Sequence, residues 1–208
     1  MLTSLASRFN AALYDPVLAL GERRGMAARR GELLAQARGR TLEIGAGTGL
    51  NLAHYPDRVE ALVVSEPDPG MFRRLERRVA RERPAARAVR AGAEDLPFAD
   101  GEFDTVVSTL VLCTVPDPEA SVAEIERVLA PGGTLLFLEH VRAEDARLAR
   151  RQDRLHGPWK AFAAGCHCNR DTVALLAGGF DLQSHTHTWR GMPRIVHPLV
   201  AGAAVRRG

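Results

Sequence analysis

Lysine is almost missing from this chain: of 28 Lys and Arg residues only Lys160 is a lysine. Aromatic residues make up 5% and cysteine occurs three times, at Cys113, Cys166 and Cys168. No apolar run approaches the roughly eighteen residues that a membrane-spanning helix needs, so a transmembrane segment is excluded. Met1 to Leu20 has neither a basic n-region nor a small-residue cleavage site, so it does not read as a secretory signal. Three cysteines without such a signal are too few for a disulfide framework and point to free thiols in a reducing, cytoplasmic setting. Scarce aromatics also bear on the densest basic cluster, Arg73, Arg74, Arg77, Arg78, Arg81, Arg83, Arg87 and Arg90. Nothing there would stack on bases, and Glu76 and Glu82 intervene, so a solvated helix face is favoured over a nucleic-acid footprint.

What is present is a chain of 208 residues, 46% apolar, with a net charge of +3. That suffices for one domain with a sizeable core, and no repeat, linker or low-complexity tract divides it. Residues 1–38 read as helical. Leu2, Leu5, Phe9, Leu13, Val17 and Leu20 recur at three- or four-residue steps as one apolar face, and Asp15-Pro16 suggests a break between two helices. From residue 39 to 208 apolar runs alternate with helical patterns. Strands are expected at Thr41–Ile44, Ala61–Ser65, Ala86–Arg90, Phe103–Ser108, Thr134–Glu139, Phe180–Thr186 and Pro198–Val205, with helices such as Gly70–Arg83 and Pro118–Leu129 between the first five. Such alternation implies an α/β, doubly wound, seven-stranded sheet covered by helices on both faces. It would be mostly parallel. The last two strands are joined by the non-helical Trp189–His197, which allows the final one to run antiparallel.

Thr41-Leu42-Glu43-Ile44 runs straight into Gly45-Ala46-Gly47-Thr48-Gly49. Gly45 and Gly47 permit positive φ and let backbone approach a ligand, and a helix opening beyond the turn would aim free N–H groups at an anionic moiety. A dinucleotide fingerprint needs its third glycine three positions after the second, where this chain has Leu50. That disfavours a nicotinamide oxidoreductase and suits a nucleoside carrying an amino-acid tail. Glu66, about twenty residues beyond the glycines at the end of the next strand, is placed to accept both ribose hydroxyls. Its blander reading is a charge at the start of the following helix. The turn from Ala91 to Phe98 follows the third strand, where backbone amides and one acid can hold an adenine, and the end of the fourth strand, Ser108 to Cys113, would border the reactive sulfur.

Together with Leu129-Ala130-Pro131-Gly132-Gly133-Thr134, these segments resemble the class I methyltransferases that use S-adenosylmethionine, from about Gly39 to Val141. Ser108 to Val115, Glu139-His140-Val141 and Gly165-Cys166 with Asn169-Arg170 resemble the small thiol methyltransferases, including the mammalian membrane-associated enzymes, whose apolar N-terminal anchor has no counterpart here. The resemblance implies a Rossmann-like core under an N-terminal helical lid, with S-adenosylmethionine as cofactor and S-adenosylhomocysteine as product. Cofactor contacts are then expected from Glu43, Gly45, Ala46, Gly47, Asn51, Glu66, Pro67, Met71, Ala93, Glu94, Thr109 and Leu110. Gly92 stands where the family often has an acid, which leaves adenine recognition to Ala93, Glu94 or Asp95.

The implied reaction is an in-line displacement on the sulfonium methyl, in which the protein mainly holds nucleophile and methyl collinear. A small thiol acceptor needs little help from a base, whereas an amine or phenol needs more. Glu139-His140, at the carboxyl end of the fifth strand, are the candidate catalytic residues, although a structural histidine accounts for His140 as well. Tyr14 reads as a lid residue over the acceptor or as a core tyrosine. Cys166 is implied as a wall of the acceptor pocket. Cys166-His167-Cys168 lacks the paired spacing of a zinc site, and His185 with His187 completes no ligand set, so no metal is expected. The rival functions are an amine or phospholipid-headgroup N-methyltransferase, with the N-terminal segment in weak peripheral contact with a membrane, and a binding protein that holds S-adenosylmethionine without turnover.

Overall fold

The computed structural model describes residues 2–207, with side-chain surroundings from Ala11 onward. After two N-terminal helices, α1 (Leu2–Gly21) and α2 (Ala27–Leu34), the chain alternates β1 (Gly39–Ile44), β2 (Val59–Ser65), α3 (Pro69–Glu82), β3 (Arg87–Val89), β4 (Phe103–Thr109), α4 (Pro118–Val128) and β5 (Leu129–His140). It closes with α5 (Ala146–Phe162), α6 (Thr172–Leu176), β6 (Phe180–Thr188) and β7 (Pro198–Arg206). One seven-stranded sheet forms in the order β3-β2-β1-β4-β5-β7-β6. All neighbours pair parallel except β7, which runs antiparallel to both β5 and β6. The expected architecture therefore stands.

Residue order explains the layering. Along β5 the side chains alternate: Leu135 and Phe137 join Leu42, Ile44 and Val106 on one face, while Leu136 and Leu138 join Val64 and Val107 on the other. A strand apolar on both sides is stable only when both faces are covered. Here α4 and α6 supply Val122, Ile125, Val128 and Leu176 to the first face, and α2 and α3 supply Leu33, Leu34, Leu75 and Val79 to the second. Helix starts are set by Asp caps. Asp68 accepts from Gly70 and Met71, and Asp117 from Ala120, each followed by a proline in the first helical turn.

Two expectations for the N-terminal segment are corrected. Helix α1 runs through Pro16, and the break falls at Arg24 and Gly25, where Gly25 takes φ 120°. A proline inside a helix forfeits one backbone hydrogen bond, but the adjacent Asp15 accepts from Thr48 Oγ1 at 2.5 Å and Arg78 at 3.0 Å, which ties that turn to the glycine loop and to α3. The buried face also differs: Ala11 and Leu18 are buried, while Leu13, Val17 and Leu20 lie outward. The inward side must come close to the glycine loop and to Trp189, and it does so with small or polar groups. A Cβ on Gly21 would sit 2.4 Å from the Trp189 indole nitrogen. Leu2, Leu5 and Phe9 lie outside the described side chains. The arginines of α3 behave as a solvated face over the buried Met71, Leu75 and Val79, with Arg78 and Arg81 both paired to Glu82.

Candidate active site

The strand order reverses between β1 and β4, and the carboxyl ends of these strands open a crevice where ligands of doubly wound sheets gather. Beyond β1, Gly45 and Gly47 have φ of 54° and 58°, a region that favours glycine. Gly45 is also short of room: a Cβ would lie 2.7 Å from Val111, because the turn after β4 packs directly on the loop. Glu66, at the end of β2, grips the same loop. Its carboxylate accepts the Gly47 N–H and the Asp68 N–H, each at 2.8 Å. Burial raises its pKa, opposed by those two backbone donors.

A buried polar chain lines the crevice from below. Asn51 donates to Glu43 at 2.9 Å and to Thr109 Oγ1 at 2.8 Å, and accepts from Arg30 at 2.9 Å. Tyr55 donates to the other Glu43 oxygen at 2.7 Å, and Arg30 pairs with Glu22 at 3.1 Å. Burial pushes the Glu43 carboxyl up to about 7. Tyr14, Arg30, Glu43, Gly45, Ala46, Leu50, Asn51 and Thr109 line a narrow cleft. The Tyr14 phenol is pushed up to about 12 by burial. A larger concavity, about 510 Å³, opens at the amino ends of β1 and β4 among Arg38, Asp104 and Gly132 and holds none of the expected site residues.

At the other end of the crevice, Ala93 is buried, and the buried Glu94 Oε1 atom has no hydrogen-bond partner among the described residues. A Cβ on Gly92 would stand 3.0 Å from the other Glu94 oxygen, so the glycine makes room for this carboxylate. Two residues of α4 hold the turn in place: Glu124 accepts the Leu96 N–H at 2.7 Å, and Arg127 donates to the carbonyls of Leu96 and Phe98.

The turn after β4 is strained and clamped. Leu110 has φ 61°, uncommon for a residue with a side chain. Glu139, fully buried on β5, accepts from Ser108 Oγ at 2.6 Å, the Val111 N–H at 3.0 Å and the Cys113 N–H at 3.1 Å. That turn delivers Cys113 to His140, whose Nδ1 lies 3.4 Å from both Cys113 Sγ and Cys166 Sγ. The hydrogen bond with Cys166, then burial, raises the Cys113 thiol pKa well above its usual value. His140 stacks on Trp189 with ring centroids 5.4 Å apart, and its Nε2 has no partner among the described residues.

The expected site residues therefore fall into four groups, with Pro67 and Met71 outside them. Glu43, Gly45, Ala46, Asn51, Thr109 and Tyr14 meet at the cleft, Glu66 and Gly47 are bonded to each other, and Ala93 with Glu94 lies beyond. Pro67 is exposed, and Met71 is buried under the start of α3. Glu139, His140 and Cys166 gather with Cys113 beside the strained Leu110. Sequence reasoning left out Arg30, Tyr55 and Glu22, and put Cys113 only in the segment bordering the sulfur. Arg30 had no signal among so many arginines, while a glutamate one residue from the end of a buried strand asks for partners such as Asn51 and Tyr55. Cys166-His167-Cys168 does not act as a unit: His167 bonds His156 at 2.9 Å, and only Cys166 turns toward His140. His187 bonds Arg29 instead of joining His185.

A methyltransferase domain family matches residues 42–137. The human thiol S-methyltransferase TMT1B is 38% identical over 170 residues, covering 75% of this chain and 68% of that protein. Its rat counterpart is matched over 55% of its length, so the match spans 55% to 68% of the length of these two relatives. The chain belongs to the class I S-adenosylmethionine-dependent methyltransferases. A phosphatidylethanolamine N-methyltransferase from Cereibacter sphaeroides is 34% identical over 141 residues, covering 66% of this chain and 68% of that protein. The fold of this methyltransferase also matches the N-methyltransferase NodS of Bradyrhizobium japonicum WM9, crystallised with S-adenosylhomocysteine, at a TM-score of 0.67 and 18% identity over 88% of this chain and 87% of that one. S-adenosylmethionine is its cofactor, and no helix among the described residues is long and apolar enough to cross a membrane.

Proposed function

We propose that this methyltransferase moves the methyl group of S-adenosylmethionine onto a small thiol. The observation that carries the acceptor class is the 38% identity with a thiol S-methyltransferase over three-quarters of the chain. The residues fit the cofactor on independent grounds. The unpartnered Glu94 oxygen supplies the acceptor that an adenine amino group needs. Glu66, already fixed by Gly47 and Asp68, has lone pairs left for the ribose hydroxyls. Arg30, held by Glu22 and Asn51 at the cleft wall, offers a guanidinium to the amino-acid carboxylate, and Tyr14 closes the cleft over it.

Bound in this way, the sulfonium faces the turn from Thr109 to Cys113. Displacement at methyl requires the attacking atom, the methyl carbon and the departing sulfur in line, and a rigid turn serves that requirement. Glu139 acts in this reading as a positioning residue, since its oxygens are committed to Ser108, Val111 and Cys113. His140 and Cys166 form the acceptor wall. A thiol with a pKa of about 8.5 is already partly thiolate at neutral pH and needs little help from a base at this wall. The three buried, unpaired cysteines are in keeping with a reducing, cytoplasmic setting.

The rival acceptor is an amine or a phospholipid headgroup, favoured by the likeness to the Cereibacter sphaeroides enzyme and by the outward Leu13, Val17 and Leu20, an apolar stripe suited to a membrane surface. Methyl transfer measured on purified protein with alkyl and aryl thiols, primary amines and phosphatidylethanolamine vesicles separates the two. Turnover of thiols alone is expected. Turnover of the lipid or the amines alone overturns the thiol assignment, and binding of S-adenosylmethionine without any turnover favours a non-catalytic holder.

A further inference from the structure

Cys113, His140 and Cys166 come from three separate elements, the turn after β4, the end of β5 and the loop after α5, and their donor atoms lie within 4.8 Å of one another. The triangle they draw has sides of 3.9 Å between the two sulfurs and 3.4 Å from each sulfur to Nδ1. Tetrahedral zinc has bonds of about 2.3 Å to thiolate and about 2.0–2.1 Å to imidazole, which fixes the ligand edges at about 3.8 Å between sulfurs and about 3.6 Å between sulfur and nitrogen. Each side of the triangle agrees with that face to within roughly 0.2 Å.

The supports of the three groups are also built. Glu139 holds the Cys113 N–H, His167 donates its N–H to the Cys113 carbonyl at 2.6 Å, and the Cys166 N–H bonds Ala163 at 3.0 Å. Trp189 fixes the imidazole plane. With Nε2 unpartnered, the ring proton can reside there and leave the Nδ1 lone pair directed between the sulfurs. Among the described residues no fourth cysteine, histidine or carboxylate joins the cluster. Three protein ligands and a vacant fourth position describe a catalytic zinc site, whereas structural sites have all four filled.

We infer that Cys113, His140 and Cys166 bind one zinc ion, whose fourth position takes the acceptor sulfur. The role of that fourth position rests on the thiol reading above; the metal site does not. On binding, the acceptor gives its S–H proton to solvent. Its sulfur then forms the new bond to methyl as the sulfonium–methyl bond breaks, and S-adenosylhomocysteine and a neutral thioether depart. Zinc binding releases the Cys113 and Cys166 thiol protons to solvent, and the resulting two thiolates with one neutral imidazole balance the zinc charge. A third thiolate leaves the cluster with one negative charge, facing a positively charged sulfonium.

Cobalt(II) titration of the reduced, metal-stripped full chain tests this. The expected result is one cobalt per chain with a sulfur-to-cobalt charge-transfer band and intense tetrahedral visible bands. Cys113→Ser and Cys166→Ser should lose affinity by more than the roughly 10–100-fold that follows loss of a ligand's supporting hydrogen bond. Cys168→Ser, a buried cysteine outside the cluster, should bind as the parent does, and S-adenosylhomocysteine calorimetry on every variant shows that it is folded. A parent protein without the charge-transfer band overturns the inference, as do serine variants that retain it. An oxidised Cys113–Cys166 pair in a protein that takes up no metal assigns the cluster to redox chemistry and overturns it too. Addition of an alkyl thiol should shift the cobalt bands; unchanged bands overturn the role of the fourth position. Thiol turnover by protein that binds no metal refutes this inference alone, while a formed cobalt site with no thiol turnover refutes the acceptor assignment.

Discussion

Glu139 accepts the backbone N–H of Cys113 at 3.1 Å, so a carboxylate on one strand fixes the turn that ends its neighbour. Its second oxygen takes Ser108 Oγ and the Val111 N–H, and the segment it clamps contains Leu110 in the left-handed region. A strained residue persists only where its surroundings over-determine it. Here the strain is held between Thr109, which lines the cleft beside the glycine loop, and Cys113, which faces His140.

Removing that clamp should cost more stability than a surface change. Glu139→Ala leaves the Val111 and Cys113 N–H groups buried without acceptors, a loss of about 1–3 kcal/mol for each group left unsatisfied. Urea unfolding is expected to show a drop of roughly 2–5 kcal/mol, within the range for breaking a buried hydrogen-bond network. Cofactor binding should weaken with it, because Val111 packs on Gly45. A variant as stable as the parent rules out the clamp.

Glu66→Gln probes the ribose assignment with little change of volume. The carboxylate accepts two backbone N–H groups, and an amide can satisfy only one of them with its oxygen while its NH₂ faces the other. Hydrogen bonds to a charged group contribute about 1.5–3 kcal/mol, so the S-adenosylhomocysteine Kd should rise about tenfold or more. Calorimetry reads this directly. Unchanged affinity in a folded variant removes Glu66 from the ribose.

For the proposed adenine contact, two substitutions should act through one group. Glu94→Ala deletes the carboxylate whose Oε1 has no partner among the described residues, and Gly92→Ala brings a Cβ to 3.0 Å from its Oε2. Each should weaken binding of S-adenosylhomocysteine, the first by about tenfold and the second by less. Since the alanine at 92 works only by displacing Glu94, the double variant should be no weaker than Glu94→Ala alone. Fully additive losses indicate that Gly92 acts elsewhere.

The strands and the glycine turn were legible because they rest on local pattern. Thr41–Ile44 is short, carries Leu42 and Ile44, and is stopped by Gly45, and the strand found there differs only at its start. Helix α5 was not legible: its residues Arg147, Arg150, Arg151 and Arg154 face water, and Ala149 and Gln152 are its buried residues, so no apolar stripe announces it. On α1 the stripe was read on the wrong side, because the inward face is chosen by the hydrogen bonds of Asp15 and the closeness of Gly21 to Trp189, which no periodicity records. The cluster of Cys113, His140 and Cys166 was hidden for another reason. Cys113 and Cys166 are 53 positions apart, and only the sheet order brings the ends of β4 and β5 beside the loop after α5.

Glu43 should make stability depend on pH in a stated direction. Burial raises its carboxyl from an ordinary 4.5 to about 7, against the opposing pull of Tyr55, Asn51 and Arg30. Between those two values the folded protein keeps a proton that the unfolded chain has released. The folded state then binds more protons, and stability falls as pH rises through the window. The contribution is fully present below about pH 4.5 and gone above about pH 7, an effect on the order of 3 kcal/mol. Glu66, also raised by burial, adds to the same trend. Glu43→Gln keeps a neutral group that still accepts from one neighbour, so it should match the parent near pH 4 and exceed it near pH 8, by about that amount. Urea midpoints of parent and variant, taken across this range, measure the difference. Two curves that stay parallel would mean that Glu43 remains ionised in the folded protein and that Arg30, rather than a bound proton, balances its charge.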